Sequence, residues 1–192
     1  MNGNGGVLMC NDLLITIDIN KEPYEKIITN DKIINITGES GSGKSTYSKK
    51  YLNDDNYIVI DTDEIIGNRP TNNKYCLEIR KLLIEKYGNN IPNICEDFNT
   101  IYNDILEYYK DTDKYLIIDS AQFRNLDVNL LKGKIIIIRT CIDECYNRVI
   151  NRWKSIMKEY TLEELDAYKT RKKGMYEWYK KLNEFIIKID SL

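Results

Sequence analysis

The chain has 192 residues, 42% of them hydrophobic and 30% charged, with a net charge of −2 at pH 7 and no histidine. That composition suits one globular domain, and the slight acidity offers no excess of positive charge for a nucleic-acid or anionic-membrane partner. Without histidine there is no Ser-His or Cys-His nucleophilic dyad and no His-based zinc site, which leaves carboxylates as the first choice of general base.

Residues 1–12 begin Met-Asn-Gly-Asn-Gly-Gly and carry neither the basic nor the apolar part of a signal peptide. They read as a flexible N-terminal arm on a single domain, 13–192. The longest aliphatic runs, such as Ile135 to Ile138, are too short to span a bilayer. The five cysteines, Cys10, Cys76, Cys95, Cys141 and Cys145, are odd in number and form no Cys-x-x-Cys. Reduced thiols in a cytoplasmic protein with no membrane partner are the expectation.

Leu13 to Ile19 alternates apolar and polar residues, which predicts an edge strand before a turn near Asn20 to Pro23. Ile33, Ile34 and Ile36 predict a short buried strand. It runs straight into Gly38-Glu39-Ser40-Gly41-Ser42-Gly43-Lys44-Ser45-Thr46, which satisfies Gly-x-x-x-x-Gly-Lys-Ser/Thr. A helix over 47–52 completes the strand–loop–helix context. The residue types fit a chain of phosphate oxygens. Glycines let the backbone approach closely, successive N–H groups form an anion nest, and the helix start adds partial positive charge. Lys44 is placed to reach the β- and γ-phosphates, Ser45 to ligate Mg²⁺, and Thr46 to hold the α-phosphate region.

Tyr57 to Ile60 is the next buried strand and ends in Asp61-Thr62-Asp63-Glu64. Helices follow over 71–88 and 96–109, and then a strand over 115–118 ending in Asp119. A strand over 134–138 ends in Arg139. Helices over 144–157 and 162–182, the second bent at Gly174, precede a last strand over 184–189. Alternating helices and wholly apolar strands call for a parallel sheet covered on both faces, with ligands outside the carboxyl ends of the strands. Asp61, Asp63, Asp119 and Arg139 all fall at such ends.

These segments resemble the small P-loop kinases, the group of adenylate, shikimate and gluconate kinases and the zeta-toxin-like phosphotransferases. Gly38 to Thr46 is similar to the loop of gluconate and adenylylsulfate kinases. Ile60-Asp61-Thr62-Asp63 resembles the Asp-Thr-Asp of shikimate kinase. Leu116 to Arg124 lies where adenylate kinase has a strand followed by Asp-Gly-Phe-Pro-Arg. Arg148-x-x-x-Arg152 resembles the paired arginines beside the family's lid, here 148–162, and Arg171 with Tyr176 resembles the residues after it. The resemblance covers about 31–189. It implies a three-layer α/β P-loop NTPase fold with a five-stranded parallel sheet in the order 2-3-1-4-5, to which the strand expected over 13–19 adds an edge.

It also implies ATP with Mg²⁺ and transfer of the γ-phosphate to a small-molecule hydroxyl or nucleotide. Asp119 is the expected partner of Mg²⁺ beside Ser45. Asp63 is preferred over Asp61 as general base, on the expectation that only one of the two points into the cleft. A helix N-cap at either aspartate is the other reading. Arg148 and Arg152, four apart, share a helix face and suit the charge on the transferring group. Asp61, Arg69, Arg80, Arg124 and Arg171 are candidates for the acceptor, which enters the region 63–112. An ATPase or ATP switch without an acceptor, and a toxin-type sugar-nucleotide kinase, are the alternatives.

Overall fold

A computed structural model describes residues 22–66, 71–156 and 162–192, without the side chains of 66 and 153–169. Arg69 and the strand expected over 13–19 lie outside the described residues. Five strands form one sheet: β1 (Tyr24–Ile27), β2 (Ile33–Thr37), β3 (Tyr57–Asp61), β4 (Tyr115–Asp119) and β5 (Lys134–Ile137). The helices are α1 (Lys44–Ser48), α2 (Thr62–Ile66), α3 (Lys74–Tyr87), α4 (Phe98–Tyr108), α5 (Ile142–Ile156) and α6 (Leu162–Asp190). Short 3-10 turns follow α1 and β4.

The sheet order is β1-β5-β2-β4-β3. Strands β2 to β5 are parallel, as their continuous apolar runs require. Ile36, Val59, Ile117 and Ile136 bury one face under Tyr47 and Tyr51. Ile58, Ile60, Leu116, Ile118, Ile135 and Ile137 bury the other in the main core, shared with α3, α4 and α6.

Two strand expectations are corrected. The sheet is mixed rather than wholly parallel. Beyond β5, where a fifth parallel strand was expected, β1 pairs antiparallel, Tyr24 opposite Ile137 and Ile27 opposite Lys134. The expected strand over 184–189 is instead the last part of α6, which continues through Gly174 to Asp190. Phe185 and Ile189 are buried and Ile187 is 70% exposed. That is the spacing of a helix stripe continued from Trp178 and Leu182, not of a strand. No described helix is long and apolar enough to cross a membrane.

The central strand carries one buried amide. Asn35 Nδ2 donates to the carbonyls of Lys132 (2.7 Å) and Lys134 (3.2 Å), tying the entry of β5 to β2.

Candidate functional site

Between β2 and α1 the chain turns through Gly38 to Gly43. Gly41 and Gly43 have φ of 85° and 98°, a region that side chains disfavour. A Cβ on Gly41 would also stand 2.6 Å from the carbonyl oxygen of Cys145 in α5. The loop is held from outside. Thr140 Oγ1 donates to Ser42 O at 2.9 Å, and Arg148 Nη1 donates to Gly41 O at 3.0 Å and Ser42 O at 3.4 Å. Ser42 N–H closes the turn on Glu39 O at 2.9 Å. These bonds occupy the carbonyls. The first bond of α1 runs from Tyr47 N–H to Gly43 O, so the N–H groups of Lys44, Ser45 and Thr46 precede the helical ladder and are open to an anion.

Lys44 is buried (7% exposed) at the start of α1. Around it stand acids from two strand ends, Asp61 and Asp119, and Glu39 from the loop. Ser45 Oγ donates to Asp61 Oδ2 at 3.4 Å, and Ser48 Oγ donates to Asp119 Oδ2 at 2.7 Å. Asp119 is fully buried, and its Oδ1 has no hydrogen-bond partner among the described residues. Burial raises its pKa, while Lys44 and the hydroxyls of Ser48 and Ser45 oppose the rise. Asp61 is pushed up to about 7 by burial first and then by the charges of Asp119 and Asp63. Two carboxyls this close in a dry setting resist being ionised together.

Among the described residues, no three or more Cys, Asp or Glu side chains converge as a metal cage. Mg²⁺ does not need one. It keeps several waters and takes one or two protein oxygens plus substrate phosphates. Ser45 Oγ with the orphaned Oδ1 of Asp119 fits that donor set, since a buried carboxylate oxygen without a partner is otherwise costly.

The premise that separated Asp61 from Asp63 is corrected. Residues two apart on a strand share a face, so strand geometry does not part them, and the strand stops at Asp61 with α2 starting at Thr62. Asp61 Oδ1 accepts the N–H of Asp63 at 3.0 Å, as a helix N-cap does. Asp61 turns its other oxygen to Ser45. Asp63 is exposed in the first turn of α2, close enough to raise both neighbours.

The arginines divide. Arg148 grips the loop and pairs with Glu144. Arg152, one turn on, is exposed. Arg171 reaches back from α6 to Glu39 Oε1 at 3.1 Å. Glu39 is buried, and its carboxylate also takes the Ser40 N–H at 2.7 Å. Burial raises its pKa against these partners and the charges of Arg124 and Lys44. Arg124 donates to Ala121 O and lies over the ring of Trp178. Arg80 faces the end of α2, donating to Ile65 O at 3.0 Å and to Glu64 O.

Sequence reading passed over Ser48, although it stands three residues after Ser45 on one turn of helix and its hydroxyl fixes Asp119. It also passed over Thr140 and Cys76. The Cys76 thiol accepts Asp61 N–H at 3.4 Å, and burial pushes its pKa up to about 12, so it closes the edge of β3 as an inert group.

No protein-family description matches the chain, and no curated protein matches it. Among solved structures, the crystal structure of TT1252 from Thermus thermophilus aligns with 78% of this chain and 85% of that one. The identity is 19% and the TM-score 0.39, too low to bear on fold or function.

Proposed function

We propose that the protein is an ATP- and Mg²⁺-dependent phosphotransferase of the P-loop kinase class, acting on a small-molecule hydroxyl or a nucleotide. One observation carries the reading. A glycine loop with its carbonyls tied back and its helix-start N–H groups open lies directly beside a buried lysine and a buried, half-satisfied aspartate.

In this reading the N–H groups of the loop and Lys44 hold the β- and γ-phosphates. Ser45 and Asp119 hold Mg²⁺, which neutralises charge across the two phosphates when bound. Thr46 borders the α-phosphate. Asp63 accepts the proton of an alcohol acceptor, and Asp61 fixes Ser45 and the start of α2. Arg148 keeps the loop in shape, and Arg152 meets charge that grows on the transferring group. The pair Glu39–Arg171 anchors the loop to α6.

The test is ATP·Mg²⁺ binding by calorimetry, followed by transfer of labelled γ-phosphate to a panel of sugars, nucleosides and nucleotides. Lys44→Ala is expected to keep the far-UV spectrum of the wild type and lose nearly all transfer. A wild type that does not bind ATP·Mg²⁺, or a Lys44→Ala variant with normal turnover, overturns the proposal. Turnover that no acceptor stimulates reassigns the protein as an ATPase.

A further inference from the structure

Two side chains of α1 are buried, Lys44 and Ser48, four apart and so on one face of the helix. Lys44 belongs to the glycine-loop pattern. Ser48 lies beyond it, yet it is buried against the end of β4.

The Ser48 hydroxyl has one proton and two acceptors within reach. Asp119 Oδ2 stands at 2.7 Å and the carbonyl oxygen of Ser45 at 3.2 Å. A serine that served only its own helix would give the proton to the carbonyl one turn back. Here the shorter contact is to a carboxylate, which is the stronger acceptor, so the proton goes to Asp119.

That bond divides the two oxygens of Asp119. Oδ2 is held by Ser48, and Oδ1 is buried without a hydrogen-bond partner among the described residues. Asp61 differs. Ser45 Oγ donates to one of its oxygens at 3.4 Å and the Asp63 N–H to the other at 3.0 Å. Asp119 therefore enters the site with one oxygen to give. The number matters for a cation. Mg²⁺ is small and takes one or two protein oxygens among its waters, whereas Ca²⁺ gathers roughly six to eight oxygens and accepts a carboxylate through both of its own.

We propose that Ser48 is a positioning residue that sets the metal preference of the site: by holding Oδ2 of Asp119 it leaves a single carboxylate oxygen for the cation, which favours Mg²⁺ over Ca²⁺. The inference rests on the phosphotransferase reading, in which Ser45 and Asp119 hold the metal, and deepens it. Without the hydroxyl, Asp119 is free to turn and offer both oxygens.

The experiment is calorimetry of the wild type, Ser48→Ala and Ser48→Thr with ATP in three forms: with saturating Mg²⁺, with saturating Ca²⁺, and with a chelator and no metal. The wild type is expected to bind ATP·Mg²⁺ at least about tenfold more tightly than ATP·Ca²⁺. Ser48→Ala is expected to lose most of that ratio, because groups that orient a metal ligand are worth about 10- to 100-fold in metal affinity, while its affinity for metal-free ATP moves by less than about twofold. Ser48→Thr keeps the hydroxyl and is expected to keep the ratio. Equal wild-type affinities for the two complexes overturn the inference and leave the phosphotransferase reading standing. So does an alanine variant with the wild-type ratio, one that loses all three affinities alike, or a threonine variant that behaves as alanine does. If Ser48→Ala does not fold, Ser48→Cys, which keeps the volume with only a weak donor, takes its place under the same expectation. Failure of the wild type to bind ATP·Mg²⁺ removes the phosphotransferase reading, and this inference with it.

Discussion

Arg148 and Arg152 look equivalent in the sequence, yet they meet different surroundings. Arg148 donates to two loop carbonyls, so its loss loosens the loop before any phosphate arrives. Arg148→Ala is expected to weaken ATP binding and lower kcat together. Arg152→Ala is expected to lower kcat with little change in ATP affinity, as for a group that meets charge in the transition state. Steady-state and binding titrations of the two variants check this, and identical behaviour would count against the assigned roles. The aspartates separate in the same way. For an alcohol acceptor, Asp63→Asn is expected to slow transfer by roughly 10² to 10⁴, the usual worth of a general base, with ATP affinity nearly unchanged. Normal transfer by Asp63→Asn with a dead Asp61→Asn would move the base to Asp61. The loop was legible in the sequence because its glycines and lysine act locally, through backbone conformation and a single charge. The orientation of the Asp61–Asp63 pair was not. It depends on where β3 ends, and the run Asp61-Thr62-Asp63-Glu64 serves a strand end and a helix start equally well.

At the scale of elements, the parallel core was readable from its apolar runs, while the two ends of the chain were not. The stretch Phe185-Ile186-Ile187, one aromatic and two β-branched residues, reads as a strand in isolation. It is helical because Trp178, Leu182, Phe185 and Ile189 make one continuous stripe against the core, and nothing between Gly174 and Asp190 stops the helix. This arrangement has a sharp consequence. In a strand, residues 185, 187 and 189 would share a face. In α6, Phe185 is 2% exposed and Ile187 is 70% exposed. Phe185→Ala is therefore expected to cost about 3–5 kcal/mol and Ile187→Thr less than about 0.5 kcal/mol, measured by urea unfolding. Comparable losses at the two positions would refute the helix. The edge strand β1 was hidden for a related reason. Its register comes from partners far along the chain: Ile137 opposite Tyr24, and Asp190 accepting the Tyr24 hydroxyl at 2.5 Å.

Across the whole molecule, α6 ties the loop to the far edge of the sheet. Arg171 holds Glu39 toward one end, and the carbonyl of Ile189 takes the Lys26 ammonium at the other. The ends of β3 and β4 meet at Asp61 and Asp119, and their charge bears on global stability. The carboxyl of Asp61 titrates near 3.8 when unfolded and is pushed up to about 7 in the folded chain by burial and its acidic neighbours. Between those values the folded state binds the proton and the unfolded state does not. Ionisation then opposes folding, so the stabilising contribution is full below about pH 4 and is lost as the pH rises to about 7 and beyond. Asn cannot ionise and escapes this loss. Asp61→Asn is thus expected to gain stability over the wild type between pH 5 and pH 8, by on the order of 1–2 kcal/mol, read from urea midpoints without nucleotide. Bound ATP·Mg²⁺ brings a cation to the same carboxyls, so it is expected to stabilise the wild type more at pH 8 than at pH 5 and to shrink the advantage of the variant. Parallel pH curves for the two proteins would show that Asp61 is not the strained acid the geometry makes it.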